Sequence, residues 1–128
     1  MDLSQYRVLV VDDVPLNQLL VEKMLSRYHF TVHKASNGLE AMREILVFKP
    51  NIILLDIMMP VMDGFEVIRK VRENPAYADI KIVVLSALNT NDDILKAYSM
   101  GAQDFITKPI VLDKLTNSVA KQLGIPLA

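Results

Sequence analysis

Asp12, Asp13, Asp56, Ser86 and Lys108 are the residues of this 128-residue chain whose types and positions can do chemistry together. Each stands where a short run stops. Arg7–Val11 (RVLVV) ends on Asp12-Asp13, and Ile52–Leu55 (IILL) ends on Asp56. Ile80–Leu85 (IKIVVL) closes on Ser86, and Ala102–Thr107 (AQDFIT) runs into Lys108-Pro109. Three carboxylates in one crevice repel each other, so one should hold a proton unless a cation is present. A hard divalent ion solves this. Mg²⁺ takes oxygen ligands, keeps several waters, and is held by one or two carboxylates plus a phosphate oxygen; Mn²⁺ is the expected substitute. An acid, a metal, a hydroxyl and an ammonium around one point make a phosphoryl site. Asp56 is then the expected nucleophile, forming an aspartyl phosphate. Mg²⁺ and Lys108 would neutralise the transferring oxygens, and Ser86 would hydrogen-bond one of them.

The elements that must bring these residues together follow from periodicity. Ile52–Leu55 has no polar alternation, which marks a strand buried on both faces of a parallel sheet. The runs from Arg7 and Ile80 share this character. Phe30–Ala35 alternates and Ala102–Thr107 is more polar, so these two belong at edges. Between the strands lie helical patterns over Val14–Tyr28, Gly38–Lys49, Gly64–Glu73, Asn89–Met100 and Val111–Leu123. The first has a broad apolar stripe of Leu16, Leu20 and Met24, widened by Leu19, Val21 and Leu25, with Pro15 in its first turn. The third is expected to be capped by Asp63, with Phe65, Ile68 and Val71 inward and Glu66, Arg69, Lys70 and Arg72 toward water. Gly101 stops the fourth.

Five β-α units with right-handed crossovers and the apolar strands at the centre are met by the strand order 2-1-3-4-5. This is the flavodoxin-like, doubly wound α/β arrangement with five parallel strands and five helices. Its switch point falls between strands 1 and 3, where ligands bind. The three acids end those two strands.

Length and composition bound the alternatives. A chain of this size fits one domain with a sizeable core, and only Ile125–Ala128 lie beyond Gly124, so 1–128 is expected to be one domain. Net charge is −1, with the basic residues scattered singly, which argues against a nucleic-acid footprint. No apolar run approaches a membrane span, and Met1–Tyr6 lacks a signal-peptide pattern. Cysteine is absent, so disulfides and thiolate metal sites are excluded, and a cytoplasmic location is expected.

Each part has an ordinary reading. Asp12 and Asp13 could cap a helix, Asp56 could be a solvated loop acid, Lys108 a surface turn, and Phe105 strand packing. His29 and His33 have no partner at metal-ligand spacing, and Met58, Met59 and Met62 read as packing. The conjunction outweighs these readings, because the topology brings together the four strand ends that carry the polar groups.

VLVVDD, IILLDIMMPVMDG, VVLSA and GAQDFITKP, with their spacings, resemble the receiver domain of the two-component response regulator family over nearly the whole chain. The resemblance implies that Asp56 accepts a phosphoryl group from the phosphohistidine of a sensor histidine kinase or a histidine phosphotransfer protein. It implies that Asp13, Asp56 and the backbone carbonyl of Met58 ligate Mg²⁺, with Asp12 acting through a metal-bound water. Ser86 and Lys108 would bind the phosphoryl group. Phe105 would be the switch aromatic together with Ser86, and Lys108-Pro109 a cis peptide. Met58 and Leu88, two beyond the acceptor and two beyond Ser86, would flank the approach of the hydrolytic water. Output would pass through the face made by the fourth helix, fifth strand and last helix. That face lacks the charge set many DNA-binding regulators use to dimerise, Ser86 replaces the commoner Thr, and Ile110 stands where Phe is frequent. Asn17 in the first helix is similar to receivers attached to hybrid kinases or standing alone.

Three rivals fit less well. A phosphatase of the haloacid dehalogenase type would place Asp-x-Asp after strand 1, where this chain has adjacent Asp12-Asp13. A non-phosphorylated binding module would be expected to have lost an acid, Ser86 or Lys108. A flavin site would need a Ser/Thr/Gly-rich cradle after strand 1, which is lacking.

Overall fold

In the computed structural model, which describes residues 2–126, five parallel strands form one sheet in the order β2-β1-β3-β4-β5. They are β1 (Arg7–Val11), β2 (Thr31–Ala35), β3 (Ile52–Leu55), β4 (Lys81–Ser86) and β5 (Asp104–Thr107). The helices are α1 (Pro15–Leu25), α2 (Gly38–Phe48), α3 (Gly64–Glu73), α4 (Asn91–Met100) and α5 (Leu112–Leu123). Short 3₁₀ turns follow α1 at Ser26–Tyr28 and α3 at Pro75–Tyr77.

Alternation along the central strands divides the core in two. Leu9, Val11, Ile53, Leu55, Ile82 and Val84 point to one face and pack under α2, α3 and α4. Val8, Val10, Ile52, Leu54, Val83 and Leu85 point to the other, under α1 and α5. All four residues of β3 are fully buried, and each such side chain stabilises the fold by roughly 1.5–3 kcal/mol relative to exposure. The edges differ. β2 exposes His33 and Lys34, and β5 buries only Ile106 fully. The polar mixture of these two runs reflects their place at the edges of the sheet, where each strand has one neighbour.

Helix α3 starts where Asp63 accepts a hydrogen bond from the Glu66 amide. Gly64 makes this start possible, because a Cβ there would lie 2.5 Å from the Asp56 carbonyl oxygen. Thr90 caps α4 in the same way, so that helix begins at Asn91 and not at Asn89. Gly101, at φ 117°, ends it.

Two helix faces depart from the sequence pattern. The residues of α1 buried against the sheet are Gln18, Val21 and Leu25, while Leu16 and Leu20 are 62% and 50% exposed. Apolar residues lie on most sides of the helix, so periodicity does not choose its inner side. The choice falls where the Gln18 amide can donate to the carbonyls of Asp12 (2.7 Å) and Ala35 (3.2 Å) and to Ser36 Oγ (3.2 Å). Arg72 does not simply face water. Its guanidinium is half-buried and donates to the carbonyls of Gly101 and Ile80 and to Gln103 Oε1. Burial pulls its pKa down.

Candidate functional site

The sheet ladder continues one residue past β1, β3 and β5, and this aligns the site. The Asp12 amide donates to Ala35 O (3.1 Å), the Asp56 amide to Val11 O (2.9 Å), and the Lys108 amide to Ser86 O (2.9 Å). Beyond these points the backbone leaves the sheet through turns built by the side chains. Asp12 Oδ1 accepts from the Val14 amide (2.9 Å), Asp56 Oδ1 from the Met58 amide (3.0 Å), and Ser86 Oγ from the Leu88 amide (3.1 Å). One oxygen of each acid is thus committed to its own loop. The other oxygens meet at Lys108, whose Nζ lies 2.8 Å from Asp12 Oδ2 and 3.1 Å from Asp56 Oδ2.

Asp12 and Asp56 are buried, and Asp13 is exposed at the rim. Burial alone would pull the Lys108 pKa down, but hydrogen bonds to Asp12 and Asp56 and their charges outweigh it and hold the ammonium above the ordinary lysine range. One ammonium faces three acids, so the crevice keeps a surplus of negative charge. Carboxylate oxygens from Asp12, Asp13 and Asp56 lie within 4.8 Å of one another. An all-oxygen, anionic donor set of this kind suits a hard divalent cation.

The structure brings Asp12, Asp56 and Lys108 into direct contact, with Asp13 beside them. Ser86 is fully buried at the end of β4. Met58, half exposed, and Leu88, half-buried, line a shallow groove with Met59, Asp63 and Phe65. Phe105 is half-buried and packs on the α2-α3-α4 side of the core. The Lys108-Pro109 peptide is cis. His29 ends the first 3₁₀ turn in the left-handed region, and His33 stacks on Phe48 and pairs with Glu44.

Residue patterns alone pass over Gln18, which holds the Asp12 carbonyl from beneath. The available signal was the amide pair Asn17-Gln18 in the first turns of a mostly apolar helix. Val61 is also new: its φ of 71° is unusual for a β-branched residue, and it sits in the loop after Asp56.

Fold and site together define a doubly wound α/β domain with a metal-competent acid crevice at its switch point. The family model described as "Response regulator receiver domain" matches residues 8–120. The chain belongs to this family. It is 42% identical over 104 residues to "Response regulator PleD" of Caulobacter vibrioides, covering 81% of this chain but 23% of that protein. It is 30% identical to "Chemotaxis protein CheY" of Bacillus subtilis, covering 93% of this chain and 98% of that one. A solved receiver domain of a putative LuxO repressor protein from Vibrio parahaemolyticus superposes with a TM-score of 0.88 at 28% identity, covering 93% of this chain and 90% of that one. The chain thus spans about a quarter of the length of PleD and nearly all of CheY. No helix among the described residues is long and apolar enough to cross a membrane.

Proposed function

We propose that this receiver takes a phosphoryl group onto Asp56 from a donor phosphohistidine and passes the change to a partner through α4, β5 and α5. The observation that carries this is the Asp56 carboxylate. It is buried, oriented by the Met58 amide, and paired through its second oxygen with Lys108. Mg²⁺, or Mn²⁺ in its place, would be held by Asp12, Asp13, Asp56 and the carbonyl of Met58. When bound, such an ion supplies positive charge to the phosphoryl oxygens. In the transfer, a P–O bond to Asp56 forms as the P–N bond of the donor breaks, and the imidazole leaves. Lys108 then exchanges its contact with Asp56 for a phosphoryl oxygen. The Ser86 hydroxyl turns to donate to another, and Phe105 moves inward. The exposed apolar residues Leu16, Leu19 and Leu20 on α1, with Val111 and Leu112 at the start of α5, suit docking of a helical donor.

The test is intact-mass analysis after incubation with Mg²⁺ and a small phosphodonor. A single phosphoryl adduct is expected on wild type and none on Asp56→Asn. An equal adduct on the variant, carried by another residue, overturns the assignment.

A further inference from the structure

A cleft of about 280 Å³ lies between α1 and the loop from β5 to α5, beside the acid crevice. Its floor is Val10, Leu54 and Leu85, all buried core residues. Leu20 and Met24 of α1 form one wall and Ile110 the other. One end holds different groups, namely Asp12, Asp56, Lys108 and Asn17. A mostly apolar pocket with a few convergent polar groups is the general form of a small-molecule site.

We propose that this cleft is a second ligand site, for a small flat organic monocation of the arylalkylammonium class. The ring would lie on Leu54 and Leu85, and the ammonium would reach Asp12 and Asp56. Charge selects the cation. Two carboxylates and one ammonium line that end, leaving one negative charge, and Lys108 already contacts both acids. With no divalent ion in the crevice, an anion would meet both carboxylates, and a neutral ring would leave the surplus charge unmet. Size selects the body, since the volume suits one or two fused rings. Binding by a compound of about ten non-hydrogen atoms falls in roughly the millimolar range.

The site goes beyond phosphoryl acceptance, and its test does not use it. Phenethylammonium, phenethyl alcohol and phenylpropanoate are titrated against the full chain in buffer free of divalent ions while methyl resonances of Val10, Leu54, Leu85 and Ile110 are followed. The ammonium is expected to saturate with shifts at these methyls, the alcohol to bind about tenfold more weakly, and the carboxylate not to bind. Asp12→Asn should remove the preference for the ammonium over the alcohol. Ile110→Phe fills the cleft and should abolish binding. Leu20→Trp, at a half-exposed rim position that leaves the core intact, should weaken it too. Equal binding of ammonium and alcohol to wild type, shifts confined to other parts of the molecule, or unchanged binding in both cleft-filling variants would each overturn the proposal. Because Asp56 phosphorylation is not read out, its failure and failure here are separate results.

Discussion

At the scale of single residues, the site rests on one repeated device. Asp12, Asp56 and Ser86 each use a side-chain oxygen to accept the amide two residues ahead. This orients each group before any ligand arrives. The amide partner of Asp56 is Met58, and that of Ser86 is Leu88. The same turns therefore carry the two apolar side chains to the edge of the crevice. Neither can orient a water by a hydrogen bond, and a positioned acid-base group is worth roughly 10²–10⁴-fold in rate. A long-lived phosphoryl state is expected. Replacing Met58→Asn together with Leu88→Glu should speed its decay by about 10²-fold, measured as loss of phosphorylated protein in Mg²⁺ without a donor. Decay no faster than wild type would show these side chains to be kinetically silent. Val61 makes a second expectation at this scale. Its side chain is 80% exposed, so nothing packs to offset the left-handed backbone. Val61→Gly should stabilise the protein by about 1 kcal/mol, read as a higher urea midpoint. A lower midpoint would mean that the loop holds this conformation without strain.

At the scale of elements, β5 is joined to both neighbouring helices by one carboxylate. Asp104 Oδ1 accepts from Tyr98 of α4 (3.2 Å) and from the Phe105 amide (2.8 Å), and Oδ2 accepts from Ser118 of α5 (2.6 Å). Burial raises the Tyr98 pKa, and the charge of Asp104 and their hydrogen bond push it the same way. A raised folded value means that the native state holds this proton more tightly than the unfolded chain does. The resulting stability is present below the ordinary tyrosine value of about 10 and is lost as pH rises through the folded value. Wild type should therefore lose urea resistance relative to Tyr98→Phe on going from neutral to strongly alkaline pH. Equal pH dependence of the two midpoints would refute the link. The bond from Ser118 is part-buried and charge-assisted, so Ser118→Ala should cost about 1–2 kcal/mol. Faster hydrogen exchange in α5 than in α2 would report it.

Legibility from sequence varied by element for physical reasons. The bounds of β1, β3 and α3 could be read directly, because uniform burial and a capping acid leave marks in residue type. The convergence of Asp12, Asp56 and Lys108 was legible because strand order follows from which runs are wholly apolar. The inner side of α1 was not, since six apolar residues surround most of the helix and a glutamine decides the matter through carbonyls of another segment. Arg72 escaped for a similar reason. Its partners Gly101 and Gln103 lie far along the chain, and no local pattern signals a guanidinium that spans three segments.

At the scale of the whole molecule, every strand points the same way and every helix returns. Leu3, ahead of β1, and Ile125, after α5, consequently pack into the same layer of core. Both lie at the rim where the strands begin. The acid crevice lies at the opposite rim, across the length of α5, whose 12 residues span about 18 Å. A compact fluorescent protein joined ahead of residue 2 or after residue 126 should leave phosphorylation by a small phosphodonor unchanged, while the same insertion between Pro109 and Ile110 should suppress it. Loss of the reaction in the end fusions would contradict this geometry. The polarity of the sheet thus separates attachment from chemistry. On the proposed function, a domain joined directly at either end would start from the rim opposite Asp56, and a change of shape carried across the body is the route by which it would sense the phosphoryl group.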